Sequence, residues 1–345
     1  MGSERLNIVG IDTVWGFKTI ELYEGDLSGQ DLHFDVLVVS AFANGYNPLA
    51  GTLLGDLRSN LGLDIRDEEK ICEYDFRRPL GLWISRYLAG FPFKRVLVLE
   101  MTGRYWPIEE CITNAFAAVA ALATKGLDVQ TLAMPILGAG HQQIPLSSIV
   151  PALLSSAEAV LRRHQLPDRI IFVEKHSSKA RHLAEEMDRT LRRSAVTLPH
   201  TEVLLNLRAD LRRGLDHAAE LVGDGFKALF DDARRVFDSD SSRSFEIGVV
   251  ARALVEFVVD DLLSRKRASN DLLKKIDDLS ELGVAPWMKG YMHTLRILGN
   301  ESAHAKSADG RVPAHLAQED LTISLFCLLR VIDFWRQQKT SATKS

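Results

Sequence analysis

The sequence predicts an α/β domain followed by an all-α helical bundle. Three observations carry this. In the first half, short Val/Ile/Leu runs alternate with longer segments of helical spacing. Those runs lack polar alternation, as in strands covered on both faces of a sheet. Beyond residue 200 no run reads as a strand, and apolar residues recur at i, i+3, i+4.

The expected strands are Arg5–Val9, Lys18–Tyr23, Phe34–Ser40, Lys94–Glu100, Val129–Pro135 and Arg169–Val173. Between them Pro107–Lys125, Ser147–Arg163 and Ser178–Arg193 read as helices. Pro107 suits a first helical turn, and Gly126 suits a C-cap. The character changes near Ser194–His200. Helices are then expected over Thr201–Val222, Gly225–Phe237, Ser244–Lys266, Asn270–Leu282, Trp287–Leu298 and Ala317–Gln338. Leu254, Phe257, Val258 and Leu262 form one apolar stripe; Leu321, Leu325, Leu328, Leu329 and Ile332 form another. Asp238–Ser242 is a polar loop between two helices. The expected boundaries are residues 1–195 for the α/β domain, 200–338 for the helical domain and 339–345 for a disordered tail.

Composition narrows the function. The 345 residues are 46% hydrophobic and 26% charged, ordinary for a soluble globular chain. A net charge of −4 gives no global basic field for nucleic acid, although a local patch remains open. Cys72, Cys111 and Cys327 are scattered with no C-x-x-C pair, which argues against a zinc ribbon or a disulfide scaffold. No metal and no cofactor are expected, and a reducing cytoplasm fits best. Residues 1–6 lack a signal-peptide core. The richest apolar run, Ala115–Ala123, is about half the ~18 residues of a membrane span, so no membrane partner is expected.

One loop stands out: Leu137-Gly138-Ala139-Gly140-His141-Gln142-Gln143-Ile144-Pro145, between a strand and a helix. Strand, glycine loop and helix start present backbone N–H groups and a partial positive charge to a phosphate. Upstream lie Gly25-Asp26-Leu27 after the second strand and Asp35 at the head of the third. That third strand enters the loop Phe42-Ala43-Asn44-Gly45-Tyr46-Asn47-Pro48-Leu49-Ala50-Gly51-Thr52. In this order the motifs resemble those of a macro domain, over roughly residues 5–195.

The resemblance implies a three-layer α/β/α fold that binds ADP-ribose or a derivative. It implies that Asp26 accepts from the adenine amine and that the 138–145 loop wraps the diphosphate and distal ribose. Gly138, Gly140 and Pro145 match the family's loop, while Gln143 replaces its third glycine. Gln143 either narrows the distal pocket or hydrogen-bonds an altered ligand; the alternative is a tight turn with Gln143 outward. The hydrolytic members carry asparagines after the Asp-apolar strand. Here Val39 or Ser40 falls at the first of those places and Phe42 at the last, while Asn44 and Asn47 lie just beyond and substitute only if the loop shifts. Binding without turnover is therefore expected. His141 titrates near neutrality when unperturbed, which suits a general base, but no carboxylate lies beside it in sequence. Met101-Thr102-Gly103-Arg104-Tyr105-Trp106-Pro107 follows a strand end, where ligands bind in open α/β sheets. Arg104 suits a bidentate phosphate contact, while an aromatic anchor closing the loop is the alternative. The expected ligand set is Asp26, Leu27, Ala41, Asn44, Arg104, Gly138, Ala139, Gly140, His141, Gln142 and Gln143.

In the second half, Leu295-Arg296-Ile297-Leu298-Gly299-Asn300-Glu301-Ser302-Ala303-His304 resembles the Arg-x-x-Gly-Asn-x-x-Ala-His pattern of a helical domain of unknown function common in bacterial defence and restriction proteins. That family is similar to HEPN bundles. Active HEPN ribonucleases bring an Arg and a His together across a dimer interface. Arg296 and His304 are the candidates here, and they meet only if the chain bends at Gly299. The alternative is that Asn300 and His304 fix helix ends. The resemblances together imply a sensor of an NAD-derived nucleotide made by a partner enzyme, with output and homo-oligomerisation through the helical domain, in bacterial antiphage defence. An ADP-ribosyl hydrolase or a ligand-activated ribonuclease acting on RNA is the enzymatic alternative.

Overall fold

The computed structural model describes residues 3–42, 45–101, 108–127, 129–137, 145–193, 202–239, 242–263, 271–303 and 317–342. The chain divides into two compact units. One holds Met1–Thr13 and Lys18–Thr190, the other Val14–Phe17 and Leu191–Ser345.

The first unit runs β1 (Glu4–Thr13), β2 (Gly16–Glu24), β3 (Phe34–Phe42), α1 (Leu53–Leu61), α2 (Ile65–Glu69), β4 (Tyr74–Phe76), α3 (Arg77–Leu80), β5 (Leu82–Ile84), β6 (Phe93–Met101), α4 (Ile108–Thr124), β7 (Thr131–Pro135), α5 (Leu146–Arg163), β8 (Arg169–Glu174) and α6 (Ser177–Thr190). The eight strands form one sheet in the order β1-β2-β8-β7-β3-β6-β5-β4. β2, β8, β7, β3 and β6 are mutually parallel neighbours, and β5 and β4 add antiparallel strands at one edge. Alternation along β3 sends Leu37 and Val39 into a core with Leu54 and Leu57 of α1, Ile65 of α2 and Trp83 of β5. Val36 and Val38, equally buried, point to the other face, where α4, α5 and α6 pack side by side. The result is the α/β/α layering expected from the uniformly apolar strands.

Two polar residues tie this sheet together at the ends where its parallel strands begin. Asp35, read in sequence as part of a motif, accepts from Gln130 N (2.7 Å) and Thr131 N (2.8 Å) and pairs with Lys94 (2.6 Å). It clamps the N-terminal ends of β3, β7 and β6. Lys18 is almost fully buried, and its ammonium donates to the carbonyls of His164 (2.7 Å), Gln165 (2.6 Å) and Pro167 (3.1 Å). The three bonds hold the turn ahead of β8 against the start of β2.

The second unit contains α7 (Glu202–Ala219), α8 (Asp224–Asp238), α9 (Ser244–Leu262), α10 (Leu272–Asp278) with a 3-10 turn over Leu279–Leu282, α11 (Pro286–Ala303) and α12 (Gln318–Ala342). Both expected stripes face one core, in which Leu254, Val258, Leu325, Leu328, Ile332 and Trp335 are completely enclosed. Two expectations are corrected. α12 continues to Ala342, into the stretch 339–345 expected as a disordered tail. Lys339 pairs with Asp261 (2.8 Å), and Thr340 and Ser341 bond back to Arg336 O (3.0 Å) and Gln337 O (2.8 Å), which sustains the last turn. The helix expected to end at Leu298 continues to Ala303 without a bend at Gly299. No helix among the described residues is long and apolar enough to cross a membrane.

Candidate functional site

The parallel strands end along one edge of the sheet. Glu24 of β2 is in register with Glu174 of β8, Val173 with Pro135 of β7, and Ala41 of β3 with Glu100 of β6. The segments leaving these ends hold most of the residues singled out in sequence. Such an edge is where open α/β sheets bind ligands.

Asp26 lies two residues past β2, where Gly25 N bonds to Glu174 O (3.1 Å). Gly25 packs closely on Ser3: a Cβ there would meet Ser3 Oγ at 2.5 Å and Ser3 Cβ at 3.0 Å, so Ser3 would have to shift. Asp26 Oδ1 accepts from Ser28 N (2.9 Å) and Ser28 Oγ (2.6 Å), an Asx turn. The Ser28 hydroxyl in turn accepts from Asn60 of α1 (2.8 Å). Asp26 Oδ2 pairs with Lys175, just past β8, at 2.9 Å, and the same ammonium reaches Asp56 of α1 at 3.0 Å. Burial alone would raise the Asp26 pKa, but the Ser28 and Lys175 donors outweigh it and hold the carboxyl below its ordinary range. Asp26 is therefore an anionic acceptor at neutral pH, clamped from three segments.

Leu27 is buried in the core with Leu54 and Val173, so its side chain is structural and only its backbone remains for a ligand. Ala41 is buried at the end of β3, whereas Phe42 beside it is two-thirds exposed (67%). Asn44, Arg104, Gly138, Ala139, Gly140, His141, Gln142 and Gln143 lie outside the described residues. The elements flanking the glycine loop, β7 and α5, take their expected order, with α5 starting directly after Pro145.

A second cluster braces the same edge. Tyr46, in the loop after β3, donates its hydroxyl to Glu100 of β6 and accepts from Trp83 Nε1 of β5 (3.2 Å). The two rings meet edge-on, with centroids 5.9 Å apart. Arg77 is 3.9 Å from Glu100 and is itself held by Asp75 (2.7 Å) and Glu69 (2.5 Å). Burial, then the Glu100 carboxylate, pushes the Tyr46 phenol up to about 12. This cluster anchors the β3 exit loop. Tyr46→Phe leaves Glu100 and the Trp83 N–H each short of a buried partner, so a loss of ~1–3 kcal/mol is expected in urea unfolding. An unchanged midpoint would show that the phenol holds nothing.

Sequence reasoning missed Ser28, Asn60, Lys175, Glu100 and Tyr46. Lys175 was within reach: it follows an expected strand, the same position that drew attention to Arg104.

In the helical unit, Arg296 and Asn300 share a face of α11 four residues apart. Arg296 Nε and Asn300 Oδ1 are buried without a hydrogen-bond partner among the described residues. Gly299 lies inside this unbroken helix. A Cβ there would meet Arg252 Cβ at 2.6 Å and Gly248 O at 2.8 Å, both on α9. The glycine is thus required by close helix packing, and the bend on which an Arg296–His304 pair depends is missing. His304 lies outside the described residues.

The fold defines a class: an α/β domain with a carboxylate-bearing edge where its parallel strands end, followed in the chain by a helical domain. Comparison with known proteins adds the following. A family model described as Domain of unknown function (DUF4145) matches residues 231–339. Among solved structures the chain is similar to the Oceanobacillus iheyensis macrodomain with MES bound (16% identity, TM-score 0.38, covering 54% of this chain and 98% of that one). It is also similar to a variant of that macrodomain with ADPR (16%, TM-score 0.41, 54% and 99%). A third is the Trypanosoma brucei macrodomain in complex with ADP-ribose (17%, TM-score 0.38, 48% and 68%). No curated protein matches the chain.

Proposed function

We propose that the N-terminal domain binds an ADP-ribose-type, NAD-derived nucleotide without hydrolysing it, and that the helical domain carries the output. The observation that carries this reading is Asp26: an ionised, pre-organised carboxylate at the ligand edge, in the sequence position that the macro-domain resemblance assigns to the adenine amine. The glycine loop between β7 and α5 supplies the diphosphate cradle in this reading. Val39 is enclosed in the core and Phe42 is apolar, so neither offers the side-chain amide expected of a hydrolase at those places.

The three cysteines, all free, suit a reducing cytoplasm. The ligand is made by a partner enzyme, the setting is bacterial antiphage defence, and the helical domain self-associates. Ligand-linked output requires differential affinity for two states of the protein. Calorimetry with ADP-ribose tests the reading. Wild type should bind, and Asp26→Ala should bind at least about tenfold more weakly, the worth of one charged hydrogen bond. Sedimentation of the full chain should change on ligand addition. Absence of binding by the wild type overturns the sensor reading; release of free ADP-ribose from an ADP-ribosylated peptide overturns the non-hydrolytic part.

A further inference from the structure

The Asp26 cluster carries more than an anchored carboxylate. A carboxylate oxygen has two lone pairs, and Oδ1 spends both on Ser28 N (2.9 Å) and Ser28 Oγ (2.6 Å). The Ser28 hydroxyl keeps donating to Asp26 because its oxygen already accepts from Asn60 (2.8 Å). Among the described residues Oδ2 is met by Lys175 alone (2.9 Å), which leaves one acceptor position. The Lys175 ammonium has three N–H donors, and two are directed at Asp26 and Asp56 (3.0 Å). One donor remains, on a side chain that is half-exposed (50%). The cluster therefore presents one acceptor and one donor side by side. Asp56, on a different element, fixes which is which.

We infer that Lys175 is a specificity-determining residue that reads a purine base jointly with Asp26: Asp26 Oδ2 accepts from the exocyclic 6-amino group, and the third Lys175 N–H donates to the adjacent ring nitrogen. This rests on the nucleotide-binding reading above and extends it to base identity. A 6-oxo purine placed in the same pose turns an acceptor oxygen toward the carboxylate and is rejected. Lys175 thus does two things at once: it orients Asp26 and it completes the donor–acceptor pair.

The test is a cycle between protein and ligand, read by calorimetry on the full chain with ADP-ribose and with its 1-deaza and 7-deaza adenine analogues. In the wild type, deleting the recognised ring nitrogen should weaken binding about tenfold or more, as expected for a charged hydrogen bond. In Lys175→Met, ADP-ribose should bind more weakly, and the same deletion should cost nothing further. Lys175→Arg keeps a donor and should restore the penalty. A merely structural lysine weakens all three ligands alike in Lys175→Met and leaves the ring-nitrogen penalty intact, which would overturn the inference. So would a wild type that binds ADP-ribose but is indifferent to both deletions. A wild type that binds none of the three removes the nucleotide reading as well.

Discussion

Replacing Gly299 by alanine is expected to lower the stability of the helical domain by ~1–3 kcal/mol, the usual cost of overpacking a well-filled interface. Alanine is the better helix former, so propensity alone would favour the change by ~0.8–1 kcal/mol. Contact decides the sign. The added methyl would stand 2.6 Å from Arg252 Cβ and 2.8 Å from Gly248 O. Neither is the yielding end of a long side chain, so α9 and α11 must move apart. Both helices feed the same core, through Leu254 and Val258 on one side and Met292 and Leu295 on the other. Gly290 is the internal control. It lies on the same helix, is exposed, and has nothing within 4 Å of its missing Cβ. Gly290→Ala should therefore raise stability by roughly 0.5–1 kcal/mol. Scanning calorimetry of the two variants should give shifts of opposite sign. Equal shifts would mean that helix packing at Gly299 is looser than these distances.

Gly299 also shows where sequence was informative and where it was not. The Arg296-x-x-Gly-Asn pattern was visible, but a glycine that permits close packing reads the same as one that permits a bend. Only the position of α9 separates them. The strands that β4 and β5 form were invisible for a related reason: Leu82-Trp83-Ile84 is three residues long, too short to show a period. The long apolar strands were legible because burial on both faces demands Val, Ile and Leu throughout. Asp26 stood out through its neighbours in the chain. Its partner Lys175 sits 149 residues later, brought alongside only because β8 inserts next to β2 in the sheet. Asp35 was legible as the head of the third strand, but its role was not: it ties the ends where β3, β6 and β7 begin, through partners some 60 to 95 residues away in the chain.

Glu21→Gln is expected to cost the α/β domain ~3–5 kcal/mol at neutral pH, as for breaking a buried ion pair from one side. Glu21 sits mid-strand in β2 with its side chain 3% exposed. Arg169 donates to both carboxylate oxygens (3.0 Å each), Thr19 (2.7 Å) and Tyr23 (3.0 Å) add hydroxyls, and Arg5 lies 3.8 Å away, equally buried. Burial by itself would raise the Glu21 pKa. The two guanidinium charges and the hydrogen bonds from Arg169 and Thr19 outweigh it and hold the carboxyl far below its ordinary range. A carboxylate whose folded pKa is depressed stabilises the fold fully above the unfolded value, near ~4.3, and loses that contribution as pH falls below it. The wild-type advantage over Glu21→Gln should thus be constant from neutrality down to about pH 5. It should then shrink by about 1.4 kcal/mol for each further unit of acid. Urea unfolding followed by circular dichroism, at neutral pH and in steps toward pH 3, measures both the size and the slope. A difference that is small at neutral pH would mean that the glutamine amide satisfies Arg169 as well as the carboxylate does. One that is large but independent of pH would mean that shape, and not charge, is what Glu21 contributes.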